Sequence, residues 1–235
     1  MNSDKKRIIL TTVFWVILSF FLPLTLLLFN LEQTVFDVRF YISEFEKYDI
    51  QRKMEAHDGD LMTAVQNLLE YLKGERFTPQ SEVTIKSERV NIFGERELAH
   101  LEDVRELFKR GFVLKRFSFA VSVLLLIGLY FSGRPDPLPT VLKALFRSCI
   151  AALLILILFI SAVLLNFSTS FTYFHLILFD NDLWLLDPAT ENLIKMFPEG
   201  FFFDTAFRVL KKTFLQLSLI AVFTGFAKRY FPKGG

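Results

Sequence analysis

Ile8 to Phe29 is a run of 22 residues without a single charged side chain. A helix of about 20 such residues spans the hydrocarbon of a bilayer. A secretory leader has a shorter apolar core, about 7–15 residues, and ends in a small-residue cleavage site. This run ends in Leu28-Phe29-Asn30-Leu31, which offers no such site. It reads as a retained first transmembrane helix, with Pro23 as the expected place for a kink. Three further apolar runs follow. Phe117–Phe131 has 15 uncharged residues, extended by Phe112–Leu114, while Lys115 and Arg116 snorkel to the interface. Cys149–Phe167 has 19, and Thr213–Ala227 is the core of the last. The 235 residues are 52% hydrophobic and include 29 Phe. That balance belongs to a membrane protein rather than to a soluble domain.

The distribution of charge orients these spans. Lys5, Lys6 and Arg7 precede the first. Arg134, Lys143 and Arg147 lie between the second and third, and Lys228, Arg229 and Lys233 close the chain. The segment 168–203 instead carries Asp180, Asp182, Asp187, Glu191 and Glu199 against Lys195. Cytoplasmic loops are the basic ones, so both termini are expected in the cytoplasm of a multi-pass plasma-membrane protein. The expected order is a span at 8–29, an outer segment at 31–111, a span at 112–131 and a cytoplasmic loop at 132–148. A span at 149–167, an outer loop at 168–203, a span at 204–227 and a cytoplasmic tail at 228–235 complete it. The fold class is mainly α: four transmembrane helices with a small extracytoplasmic α+β domain built from two loops. The net charge of +2 gives no reason to expect nucleic acid. With one cysteine, Cys149, neither an intrachain disulfide nor a paired-cysteine metal site is possible.

The outer segments carry the local detail. Leu61, Ala64, Val65, Leu68, Leu69 and Leu72 recur at helical spacing, so 60–73 reads as a helix. Val83-Thr84-Ile85 reads as a short strand. A second helix runs over 95–110, with Gly111 as a break before the span. At 100° per residue from Leu98, the apolar Leu101, Val104 and Phe108 fall at about 300°, 240° and 280°. Glu97 falls at about 260°, inside that stripe, and His100 at about 200°, on its flank. A carboxylate on a buried face needs a partner. Glu97 is either a structural pair or the group that orients His100, three residues on. In 173–186 the alternating apolar pattern around Asp180-Asn181-Asp182 reads as a β-hairpin. Asp187 is an N-cap with Pro188 at the first position of a helix that Pro198 ends. A last helix from about Phe201 puts Asp204, Arg208, Lys211 and Lys212 on one face. There they either snorkel to the interface or face inward towards a lipid headgroup.

The familiar catalytic signatures are absent: no G-x-S-x-G, P-loop, G-x-G-x-x-G or H-E-x-x-H occurs. Cys149 is on the wrong side to serve an outer site. What remains is histidine, the commonest general acid and base near neutrality. His57, His100 and His175 all fall in outer segments. His57 sits in an exposed turn, Ala56-His57-Asp58-Gly59-Asp60. No spacing among the three supports zinc, and neither metal nor cofactor is expected. The residues leave open an acid–base enzyme, a non-enzymatic binding or assembly protein, and a metal-dependent membrane hydrolase.

Two longer passages narrow the choice. FHLILFDNDLWLLDPATENLIKMFPEGFF, from Phe174, and GERELAHLEDVRELF, from Gly94, resemble the bacterial lipoprotein intramolecular transacylase (Lit) family. The resemblance covers 91–108, 174–203 and the four-span order. It implies an outer-leaflet enzyme acting on lipoproteins with a diacylglyceryl-modified N-terminal cysteine. Such an enzyme moves the sn-2 acyl chain to the cysteine α-amine, giving the lyso-form. The resemblance implies His100 and His175 as the functional histidines, no cofactor, and membrane lipid and a diacylated lipoprotein as partners. Glu97 is added here as the orienting carboxylate, with Asn181, Trp184 and Arg208 as substrate-binding or oxyanion groups. A monomer is expected.

Overall fold

The computed structural model describes residues 3–133 and 135–230. Arg134, Lys233 and the side chain of Arg229, counted above among the basic groups, lie outside the described residues. In chain order the elements are α1 (Ser3–Val35), α2 (Val38–Tyr48), α3 (Ile50–Met54), α4 (Asp58–Lys73), β1 (Glu82–Ile85), β2 (Glu88–Asn91) and α5 (Glu95–Ser132). These are followed by α6 (Pro137–Leu165), α7 (Phe167–Leu178), α8 (Asn192–Met196) and α9 (Glu199–Tyr230). Four of them, α1, α5, α6 and α9, are long and apolar enough to cross a bilayer. Among the described residues the fold is mainly helical, with these four candidate membrane helices and one two-stranded sheet.

The chain packs as two units. The bundle unit comprises the described residues within 1–31, 113–162 and 208–235. Its inner faces meet in two apolar clusters. Leu18, Leu125, Leu129 and Ala144 form one; Cys149, Ala152, Leu217 and Ala221 form the other. Without a hydrophobic drive inside lipid, small residues and polar pairs make such contacts. A Cβ on Gly128 would stand 2.7 Å from the Phe14 ring, so any other residue there would have to displace that ring. The Asn30 amide donates to Thr213 Oγ1 (3.0 Å) and Gln216 Oε1 (2.8 Å), and the Gln216 amide donates back to Asn30 Oδ1 (3.3 Å). Large apolar side chains such as Phe20, Leu158 and Leu219 point outward, as a lipid-facing surface requires.

The second unit comprises 32–112 and 163–207. Its core joins Phe40, Phe45 and Ile50 to the apolar face of α4, to Val83, Ile92 and Leu101, and to Met196 and Phe201. All six apolar positions read from the α4 periodicity are buried. β1 pairs antiparallel with β2, Ile85 opposite Glu88. Lys86 and Ser87 between them both have positive φ (51° and 66°), the backbone that a two-residue hairpin of right-handed twist demands.

Three local expectations are corrected. Gly111 does not break the helix: α5 runs unbroken from Glu95 to Ser132. An added Cβ at Gly111 would meet nothing within 4 Å, so the glycine serves neither a turn nor a close approach. Its propensity cost is about 1 kcal/mol, too small to interrupt a helix of this length. The segment 173–186 is not a β-hairpin, since 167–178 is the helix α7. The Asn166 side chain caps it by accepting from the Thr169 N–H at 3.0 Å. An apolar run matches either period, and here the cap decides. Asp187 starts no helix either. Its carboxylate accepts from the Ala189 N–H (2.8 Å), and its carbonyl accepts from Thr190 and Glu191, closing a turn ahead of α8.

Candidate active site

His100 stands on α5 inside the second unit and is 7% exposed. The polar first part of α5, before Phe112, carries it. His175 stands on α7, also 7% exposed. Their ring centroids are 6.4 Å apart. Helical spacing explains how His175 is walled in. Phe171, four residues before it, lies 4.3 Å from its ring, and Phe179, four after, lies 5.7 Å away. Trp184 stacks on it at 4.8 Å with the planes 24° apart. Phe179 also touches the His100 ring, edge-on at 5.2 Å. Phe179 thus lines both imidazoles.

Neutral imidazole carries one donor and one acceptor nitrogen. His175 Nδ1 lies 2.8 Å from the Phe171 carbonyl oxygen. A carbonyl only accepts, so Nδ1 carries the proton and Nε2 holds a lone pair. The same contact ties the ring to the preceding turn of α7. His100 Nδ1 is buried without a hydrogen-bond partner. Burial pushes the His100 imidazole down to about 4; the neighbouring His175 adds to this, and Asp103 opposes it. Burial also lowers His175, against the Phe171 carbonyl, which favours its charged form. Both rings are therefore neutral at pH 7, one of them with its basic nitrogen already defined.

Glu97 is 2% exposed. One carboxylate oxygen accepts from the Gly94 N–H at 2.6 Å and the other from the Leu193 N–H. Both donors are orphan amides at helix starts, of α5 and α8. Glu97 thus docks the α8 segment onto α5. Its oxygens are spent on backbone, not on His100. Asn192 adds a bond from its amide to the Ile92 carbonyl (2.9 Å). Asn181 is exposed at the edge of the site. Its amide nitrogen donates to Asp103 Oδ2 at 2.8 Å, and its oxygen accepts from the Leu183 N–H at 3.1 Å. Arg208 belongs to the bundle unit. His57 is exposed and precedes α4. Among the described residues, no three of the His, Cys, Asp and Glu side chains come together as a metal site.

The structure thus gathers His100, His175 and Trp184. It adds Phe171, Phe179, Asp103 and Arg96, which the sequence reading did not single out. Read as a helix, the run 167–178 would have shown Phe171 and Phe179 flanking His175 at i±4. Arg96 and Asp103 lie four before and three after His100, on one face of α5.

Three solved structures share the fold. The lipoprotein intramolecular transacylase Lit from Bacillus cereus, crystallised in meso, is 19% identical over 94% of this chain and 98% of its own, with a TM-score of 0.76. A histidine-to-alanine variant of that protein aligns at 17% identity over 98% and 97%, TM-score 0.74. A histidine-to-arginine variant aligns at 18% over 94% and 91%, TM-score 0.70. No curated protein gives a significant match. The family model described as lipoprotein intramolecular transacylase Lit matches residues 16–202, a stretch that takes in both histidine-bearing helices and the acidic turn beside them. The chain therefore belongs to the lipoprotein intramolecular transacylase family of acyltransferases.

Proposed function

We propose that this chain transfers the sn-2 acyl group of a diacylglyceryl-cysteine lipoprotein to the α-amine of that same cysteine, using His175 as base and His100 as hydrogen-bond donor. One observation carries the reading: His175 Nδ1 lies against the Phe171 carbonyl, which leaves Nε2 as the basic nitrogen, and the ring is 6.4 Å from a second buried imidazole. An α-amine has an ordinary pKa of about 7.7–8.0. Part of it is free at neutrality, and the attacking nitrogen must shed a proton. The amine nitrogen attacks the ester carbonyl carbon, and His175 Nε2 takes that proton. The tetrahedral oxyanion accepts from the His100 N–H, which a neutral ring still supplies. The carbon–oxygen bond to the glyceryl then breaks. Imidazolium at His175 returns its proton to the departing glyceryl oxygen. An amide and a free hydroxyl result, with no change in total mass. Both reacting groups sit on one substrate, so alignment supplies much of the rate, up to about 7–11 kcal/mol in well-oriented cases. No serine or cysteine nucleophile is required. The outer surface of α7 favours a lipid-borne substrate: Tyr173, Phe174, Leu176 and Ile177 are all exposed there.

Mass spectrometry of lipoprotein N-termini tests this in a host that makes diacyl lipoproteins. Expression of the chain is expected to move one acyl chain onto nitrogen at constant mass. Lipoproteins with unchanged fragmentation would overturn it in favour of a binding or assembly role. Released fatty acid that a chelator suppresses would point to a metal-dependent hydrolase.

The proposal needs both histidines on the outer face, as the Lys and Arg distribution implies. Thr78 is exposed in the second unit. A Thr78→Cys variant lacking Cys149 is expected to react with an impermeant maleimide in intact cells. Reaction only after permeabilisation would reverse the orientation.

A further inference from the structure

We infer that Arg96 and Asp103 are positioning residues of this reaction, clamping the turn 180–185 from either side of His100 so that Trp184 lies flat on His175. The inference rests on the proposed acyl transfer for its catalytic half only. Arg96 donates to the Asp182 carbonyl, and its guanidinium lies 3.6 Å from Asp182 Oδ1. Asp103 accepts from the Asn181 amide at 2.8 Å. Arg96, His100 and Asp103 form one ridge of α5, at spacings of four and three. The element that carries the imidazole therefore also carries the two anchors of the turn.

The turn transmits that registration because it is rigid within itself. Asn181 Oδ1 accepts from the Leu183 N–H, the Asp182 carbonyl from Leu185, and the Trp184 carbonyl from Leu186. Leu186 packs against the core of the unit. With its exit held by Leu186 and its start by the two anchors, the turn has little freedom to carry Trp184 away. Stacked 4.8 Å from His175, the indole shields one face of the ring from water and restricts its rotation. Nε2 is thereby aimed as well as deprotonated. The clamp adds little to overall stability. Arg96 and Asp182 are 40% and 78% exposed, and solvent-exposed pairs of this kind contribute little singly.

The test uses the full-length protein in detergent micelles with a synthetic diacylglyceryl-cysteine lipopeptide. Trp15 and Trp184 are the only tryptophans in the sequence, so Trp15→Phe leaves Trp184 as sole reporter. In that background Arg96→Met and Asn181→Ala are each expected to red-shift the Trp184 emission and expose it to iodide quenching. Each should lower kcat by up to about tenfold, with KM little changed. Together they should approach about 10²-fold, the loss that a misplacement of roughly 1 Å produces. Arg96→Lys keeps a donor for the Asp182 carbonyl, and Asp103→Asn keeps an acceptor for Asn181. Each should recover emission and rate relative to Arg96→Met and Asp103→Ala. A merely structural role would instead change melting temperature and leave the emission of the folded protein alone. Unchanged emission in the double variant would overturn the clamp. Shifted emission with a parental kcat would overturn the positioning role. If the unmodified protein showed no transfer at all, the proposed function would fall and the catalytic half with it; the emission shift would still decide the clamp.

Discussion

His175→Ala and His100→Ala are each expected to lower the rate of acyl transfer by about 10²–10⁴-fold, the range typical of a single acid–base group. The double variant should fall little further, because groups that act as a unit lose nearly as much singly as together. His57→Ala is expected to keep the parental rate, since His57 is exposed at the start of α4. The pH profile carries a second signature. Both rings are held below the ordinary imidazole value of 6.5 by burial. The acid limb of kcat is therefore expected below 6.5, and the rate should persist through the pH at which an exposed histidine is half protonated. The same burial couples pH to stability. Between 6.5 and about 4 the unfolded chain protonates the residue corresponding to His100 while the folded chain does not. The unfolded state then binds more protons, so stability is complete above 6.5 and falls as pH drops towards 4. The loss is on the order of 3 kcal/mol for that ring. Rates measured on membranes with matched protein levels, over pH 4.5–9 or about that span, check the whole set. A correctly inserted His175→Ala protein that still makes lyso-form lipoprotein at the parental rate would remove His175 as base. Proton removal would then fall to the carboxylates of the acidic turn.

Glu97→Gln is expected to cost about 2–4 kcal/mol in stability, and Glu97→Ala at least as much. The carboxylate accepts from two buried amides, on Gly94 and Leu193. Hydrogen bonds to a charged acceptor contribute about 1.5–3 kcal/mol each, and an orphaned buried donor costs about 1–3 kcal/mol. Glutamine keeps one oxygen and turns an NH2 against the other N–H, so one bond is lost and a donor is left facing a donor. The affected segment is α8, where Leu193 and Met196 are buried in the core. The activity of the folded fraction should fall much less than in the histidine variants, because both Glu97 carboxylate oxygens are bonded to backbone amides. Thermal melts in detergent, with specific activity corrected for folded protein, separate the two effects. A Glu97→Gln protein with parental melting temperature and a 10²-fold lower rate would make Glu97 the orienting carboxylate after all.

The four apolar runs, the periodic face of 60–73 and the strand at 83–85 were legible in the sequence because each depends on local physics. Hydrophobic length selects membrane helices, a 3.6-residue period selects the buried face of α4, and β-branched residues beside a tight turn select the strand. The burial of Glu97 was legible for the same reason, from its place on the wheel of α5. The path of 167–186 was not legible. An unbroken apolar run satisfies helix and strand alike, and Asn166, the cap that settles the matter, acts through a hydrogen bond to Thr169. Which group Glu97 serves was beyond reach as well. Its partner Leu193 is distant in sequence, and such a partner is chosen by tertiary packing alone. The same holds for the site. Residue type singled out His100, His175 and Trp184, but only the packing of α7 and the turn after it against α5 placed the two rings 6.4 Å apart. That packing also set the indole on His175 and made Arg96 and Asp103 neighbours of a turn some eighty residues away. Long-range contacts have no local period to announce them, so the sequence determined which groups were present and the tertiary structure decided which of them met.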